Sequence, residues 1–377
     1  MLREQRDMRR LFVGLICVLT GVGVQMVHSA SLTSMPSQAE TVFLSKHLVY
    51  LVFAACCGLV ASRISPATLQ QLARPALIGL VILLALVLVP EIGTRVNGSQ
   101  RWLRFGGMSL QPSELGRLIL PIVAAKLLTN LRSKGFAFRT VPQTILPLVL
   151  VLPLVVSEPD LGAAVFLAIG FVTALFIGGW PLRYFVLSLG SVIPVAASLL
   201  MLKPYQMQRI TGFIAAWRDL SQAPWQIRQS LLSIGAGGLH GTGVGSGWQK
   251  LSYLPEANTD FVFAVIGEEL GLAGTLTLVI LWMGVLLTGR AALQHLRRDS
   301  FAWILGNTLV IQIVVQALVN VAVVTAMVPS KGVPHPFISY GGTNLLVNIV
   351  AVGIIVAMTR AADDFAVIHS ATPEYDE

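Results

Sequence analysis

Residues 253–269, YLPEANTDFVFAVIGEE, place Glu256, Asp260, Glu268 and Glu269 at the edge of an apolar stretch. Only 12% of the chain is charged and 55% is apolar, so carboxylates beside so much hydrocarbon oppose the composition and mark a candidate site. The chemistry open to such a cluster is proton removal. Partial burial of Asp260 beside Phe261 and Phe263, with other carboxylates close in sequence, raises the pKa expected for it and makes it a better base. The plainer role for Asp260 is to cap the helix that follows, worth about 1 kcal/mol.

Other polar clusters could serve the same site. In residues 97–118, NGSQRWLRFGGMSLQPSELGRL, Pro112 suits the first turn of a helix. Glu114 and Arg117 lie three apart on one helix face and can pair, while Arg101 and Arg104 remain to meet phosphate. Glu158 and Asp160 flank Pro159 in an acidic turn between two apolar runs, where Asp160 can cap the second run. Residues 327–343, MVPSKGVPHPFISYGGT, carry three prolines and three glycines. Irregular backbone of this kind is tolerated at membrane depth where it is buried in protein or lines a cavity. Lys331 can face an anionic group there, or snorkel to the interface.

The glycine-rich run 235–247, GAGGLHGTGVGSG, lacks a GxxxxGK[ST] pattern, and close backbone packing explains it better than a nucleotide loop. Cys17, Cys56 and Cys57 fall in apolar runs and read as small packing residues, with no disulfide framework. The six histidines are dispersed, and HExxH is absent.

The elements that must position these groups are membrane helices. Mean hydropathy is +0.75 over 377 residues, which a soluble core does not explain. Apolar runs of spanning length lie at Leu11–His28, Leu48–Ser62, Pro75–Val89, Ser113–Leu131, Gln143–Val156, Leu161–Ile177, Leu182–Leu202, Phe261–Gly289, Phe301–Met327 and Ile338–Thr359, about ten in all. The basic residues, among them Arg9, Arg63, Arg132, Arg183 and Arg298, then fall on one side. Both termini are therefore expected in the cytoplasm, with short tails at 1–10 and 360–377. The expected fold is an all-α polytopic membrane protein, one domain over 1–377, with a large extracytoplasmic loop, about 203–260, between the seventh and eighth spans. The first run is read as an uncleaved span, longer than a signal peptide needs. The net charge of +8 is spread over cytoplasmic loops, which suits anionic membrane lipids and excludes nucleic acid as a partner.

Read in order, RWLRFGG with LQPSELGRL, EPDLGAAV, KPYQMQRITGF with QSLLSIGAGGLHGTGVG, QKLSYLPEANTDFVFAVIGEELG, and MVPSKGVPHPFISYGG resemble the motifs of the SEDS family (shape, elongation, division and sporulation). The resemblance runs from residue 97 to residue 343, and the stretch QKLSYLPEA and the lysine of VPSKG look more like its division branch than its elongation branch. It implies a peptidoglycan glycosyltransferase of the bacterial cytoplasmic membrane, acting at the division septum. The implied substrate is lipid II, a disaccharide-peptide on undecaprenyl pyrophosphate. The implied partners are a class B penicillin-binding protein, a transpeptidase, and other division or elongation proteins. The family's essential aspartate falls on Asp260, and inversion at the sugar needs one base and a clamp for the leaving pyrophosphate. Arg101, Arg104, Arg209 and Lys331 are candidates for the clamp, with Glu114, Arg117, Glu158, Asp160 and Glu256 as further substrate contacts. No nucleotide or organic cofactor is implied, and a divalent cation, Mg or Mn, between Asp260 and phosphate stays open as an addition. Asn258 stands where the family usually has histidine, Arg117 where lysine is frequent, and Thr343 and Asn344 where serines are common. Lipid II transport and an elongation polymerase are the rival readings.

Overall fold

The structure is a computed structural model that describes residues 2–31, 38–96, 98–105, 108–188, 190, 204–248, 254–329 and 331–371. Its helices are α1 (Leu2–Ser31), α2 (Gln38–Ala61), α3 (Pro66–Leu88), α4 (Pro112–Lys134), α5 (Val141–Ser157), α6 (Leu161–Ile177), α7 (Pro204–Arg218), α8 (Trp225–Gly237), α9 (Val262–Leu293), α10 (Phe301–Val324) and α11 (Gly342–Ala371). Among the described residues seven helices are long and apolar enough to cross a membrane, and α6 is a shorter apolar one. The chain is an integral membrane protein of α-helical class. Residues 182–188 of the expected seventh span are helical, and most of its remainder lies outside the described residues.

Several boundaries move from their expected places for local reasons. The third helix starts at Pro66, because Ser65 caps it by accepting from Thr68 N at 3.1 Å, and runs through Pro75. The last helix starts at Gly342, so Ile338 belongs to the irregular segment before it. Residues 2–10 and 360–371 continue α1 and α11 as helix. Cys17 and Cys56 face outward and do not pack in the core as expected, because they lie on the lipid-facing sides of their helices.

Helix α10 sits against α4, α6, α9 and α11, while α1 lies along α9 and α2 along α11. Helix α4 carries Glu114, Arg117 and Lys126 yet belongs to the bundle, since it packs on α3, α6 and α10 and shows much of its surface to protein instead of lipid. Helix α9 is broken at Gly271, whose φ of 65° and ψ of −162° are not helical. The freed amides of Leu272 and Ala273 donate to the carbonyls of Gly238 and Leu239, at 2.9 and 3.2 Å. In return Thr242 N and Gly243 N donate to the carbonyls of Glu268 and Glu269. The glycine-rich run thus docks its backbone into the broken helix, which keeps buried polar groups paired.

Between α3 and α4 the chain forms a three-stranded antiparallel sheet, which the sequence reading did not anticipate. The strands are β1 (Thr94–Val96), β2 (Ser99–Phe105) and β3 (Met108–Leu110), in the order β1-β2-β3. Gln100 Nε2 anchors the sheet by donating to the carbonyls of Val87 and Val89, both at 2.9 Å, at the end of α3.

Candidate active site

At the end of the bundle that carries this sheet, pieces of chain from both halves of the sequence surround a cleft of about 1060 Å³. Strand β2 contributes Arg101 and Arg104, and α4 contributes Glu114 and Arg117. Asp160 comes from the start of α6, Glu256 and Asp260 from the turn before α9, and Lys331 from the segment before α11.

Asp160 uses its two oxygens for different tasks. Oδ1 accepts from Ala163 N at 3.0 Å and caps α6, while Oδ2 accepts from Arg101 at 2.9 Å and from Gln111 Nε2 at 3.2 Å. Capping and site formation, alternatives in the sequence, coexist. A Cβ on Gly162 would lie 2.7 Å from Lys331 Cε and 3.1 Å from Asp160 Oδ1, so the glycine makes room for the lysine beside this aspartate. A Cβ on the next residue of that lysine's segment, Gly332, would meet Asp260 Oδ2 at 2.4 Å. Residues 331 and 332 therefore lie between the surroundings of the two aspartates.

Asp260 does not cap α9. The cap position is Phe261, and the Asp260 carboxylate lines the cleft. The backbone of this turn is stitched to α10 and to the segment before α11: Asn320 Nδ2 donates to the Asp260 carbonyl at 2.8 Å, Ser339 Oγ to the Thr259 carbonyl, and Tyr340 N to the Asn258 carbonyl at 2.8 Å. Glu256 accepts from Thr259 Oγ1 at 2.8 Å at the exposed rim. Glu268 and Glu269, expected near Asp260, are buried away from the cleft. Glu268 accepts from Trp248 N and Glu269 from Ser29 Oγ, because the helix carries them two turns down toward α1 and the glycine run.

Arg117 forms the expected pair with Glu114 at 2.5 Å and is almost fully buried. Its terminal guanidinium nitrogens also donate to Gln316, Asn344 and Asn348, while Nε has no partner among the described residues, and the guanidinium lies 5.0 Å from the Phe166 ring centre. It ties α4 to α10 and α11, and most of its donors are spent on protein. Arg104 is exposed at the rim, with no partner among the described residues.

Glu158 does not line the cleft as a substrate contact would. The turn points it into the protein, where both carboxyl oxygens are buried without a hydrogen bond among the described residues. Burial first, and the neighbouring Asp160 second, push its pKa up to about 8 against an opposing pull from Arg101. Arg209 lies on α7, and its side chain is outside the described residues. Among the described residues no group of three His, Cys, Asp or Glu side chains could hold a metal ion, so the cleft offers no ready ligand set for a divalent cation.

The sequence reading passed over Gln312, Gln316 and Asn320, all buried on α10. Their spacing of four puts them on one helix stripe, and a stripe of amides inside an apolar span was the available signal.

A family model described as cell cycle protein, covering FtsW, RodA and SpoVE, matches residues 9–364. The chain belongs to this family. Similar relatives in it include the probable peptidoglycan glycosyltransferase FtsW of Trichlorobacter lovleyi, 38% identical over 90% of each chain. The protein of that name from Coxiella burnetii is 37% identical over 93% of this chain and 96% of its own. Among solved structures, a chain of a peptidoglycan synthase complex described as coordinating polymerization and crosslinking aligns with a TM-score of 0.75 at 26% identity, over 93% of this chain and 97% of that one. The rod shape determining protein RodA of Thermus thermophilus aligns with a TM-score of 0.68 at 26% identity, over 93% and 95%. The cleft described above is thus built on the FtsW/RodA/SpoVE fold, whose division-type relatives match this chain over nearly its whole length.

Proposed function

We propose that this protein is a peptidoglycan glycosyltransferase that polymerises lipid II for septal wall synthesis. The supporting observation is one cleft at a membrane end that holds the carboxylate of Asp260 together with Arg101, Arg104 and Lys331. The names of the division-type relatives point the same way.

In this reading Asp260 takes the proton from the attacking sugar hydroxyl while the anomeric bond to pyrophosphate breaks. The cations offset the charge that develops on the departing diphosphate. Arg104 is the cation best placed to meet it, because Arg101 is already held by Asp160 and Arg117 by Glu114. The base and the clamp come from different elements of the cleft, and direct displacement with inversion needs the attacking hydroxyl and the departing pyrophosphate on opposite faces of the donor carbon.

A class B transpeptidase is the natural partner, since the synthase complex with the similar chain couples polymerization to crosslinking. The basic end of the bundle, with Arg63, Arg132, Arg183 and Arg298, faces the cytoplasm with both termini, and the cleft opens outside the membrane. In this reading α7 and α8 belong to the outer loop between the seventh and eighth spans.

The test is polymerisation of labelled lipid II by the purified protein, alone and with its class B partner, comparing the parent with Asp260→Asn. Glycan strands from the parent, and a loss of about a hundred-fold or more in the variant at equal folding, support the enzyme and its base. Equal polymer from both removes Asp260 from that role. Lipid II crossing sealed vesicles without polymer would support transport instead.

A further inference from the structure

His335 is fully buried in the segment before α11, between Trp282 of α9 and Asn320 of α10. The indole nitrogen of Trp282 can only donate, and it donates to His335 Nε2 at 2.9 Å. Nε2 is therefore the acceptor of the ring, the proton sits on Nδ1, and the imidazole is neutral. Nδ1 donates to Asn320 Oδ1 at 3.0 Å. That orientation turns the Asn320 amide nitrogen toward two carbonyls, Asp260 at 2.8 Å and Val333 at 2.7 Å. One donor-only group at the far end thus sets the direction of every bond in the chain. Reversing the ring or the amide would set like against like.

The ring is also held by its faces, stacked on Phe263 at 6.4 Å and met edge-on by Trp282 at 5.5 Å. None of the three residues lines the cleft. Yet their last two bonds end on Asp260 and on Val333, two residues from Lys331. A fully paired buried polar chain adds rigidity, and this one spends it where the candidate base meets the segment opposite.

We infer that Trp282, His335 and Asn320 are positioning residues that hold the Asp260 backbone at a set distance from the Lys331–Val333 segment. The kinetic consequence rests on the glycosyltransferase reading, and the structural consequence does not. His335→Phe keeps the ring and its stacking but removes both bonds, whereas His335→Gln can accept from Trp282 and donate to Asn320.

The experiment measures kcat and KM for lipid II polymerisation, and amide hydrogen exchange of the peptide spanning 256–263, in the parent, His335→Phe and His335→Gln. Expected are a kcat about ten-fold lower in His335→Phe with KM within about two-fold, recovery of most of that loss in His335→Gln, and faster exchange around Asp260 only in His335→Phe. Parent-like kcat and exchange in His335→Phe would overturn the inference. So would a His335→Gln variant as impaired as His335→Phe, which would point to packing alone. If the parent makes no polymer, the enzyme reading fails, and the exchange comparison still decides the inference in the same two directions.

Discussion

Glu158 is a buried carboxyl group with no hydrogen-bond partner among the described residues, held in the turn beside the site. Its folded pKa of about 8, against 4.5 for the free side chain, means that the folded protein holds this proton more tightly than the unfolded chain does. Its contribution to stability is therefore complete below the unfolded value and lost as pH rises through the folded one. Glu158→Gln should melt like the parent at pH ~4.5 and below, gain on it progressively as pH climbs from ~4.5 toward ~8, and keep a constant advantage above that, because the amide never ionises. A melting series across that range in detergent checks it, and parallel curves would refute the buried acid. The sequence showed that 158 and 160 form an acidic turn. It could not show which faces the cleft, because that depends on how α5 and α6 close around the turn.

Among the elements, α9 carries the clearest departure from expectation. Periodicity reads residues 261–289 as one span, since the break at Gly271 leaves the apolar pattern intact. The partner that makes the break tolerable, residues 238–243, lies some thirty positions upstream in the chain. A Cβ on Gly271 would sit 2.4 Å from Gly241 N and 2.8 Å from the Leu239 carbonyl carbon, at a φ of 65°. Neither contact can yield, because both are backbone. Gly271→Val should cost about 2 kcal/mol or more, seen as a lower melting temperature and as faster exchange of Thr242 and Gly243 amides. A variant with parent-like melting and protection would show that the run and the helix are not locked together. The glycine run was legible as a place where backbones come close, and its partner was not.

For the whole molecule, the arrangement of basic residues predicts which end faces outward. In a background with Cys17, Cys56 and Cys57 changed to serine, Glu91→Cys, at the exposed cleft end, should react in intact cells with a maleimide that cannot cross membranes. Arg298→Cys, at the other end, should react only after the membrane is opened. The reverse pattern would invert the topology and place the cleft with cytoplasmic nucleotides. Membrane class and most of the described spans were readable along the chain because hydropathy acts segment by segment. The pair Glu114–Arg117 was readable too, since one helix turn joins it. The cleft was not, because its bonds join residues far apart in sequence: Arg101 to Asp160 across 59 positions, Asn320 to Asp260 across 60, Arg117 to Asn344 across 227. Such pairs exist only once helices from both halves of the chain have packed, and that packing turned Asp260 toward the cleft and Glu158, Glu268 and Glu269 away from it.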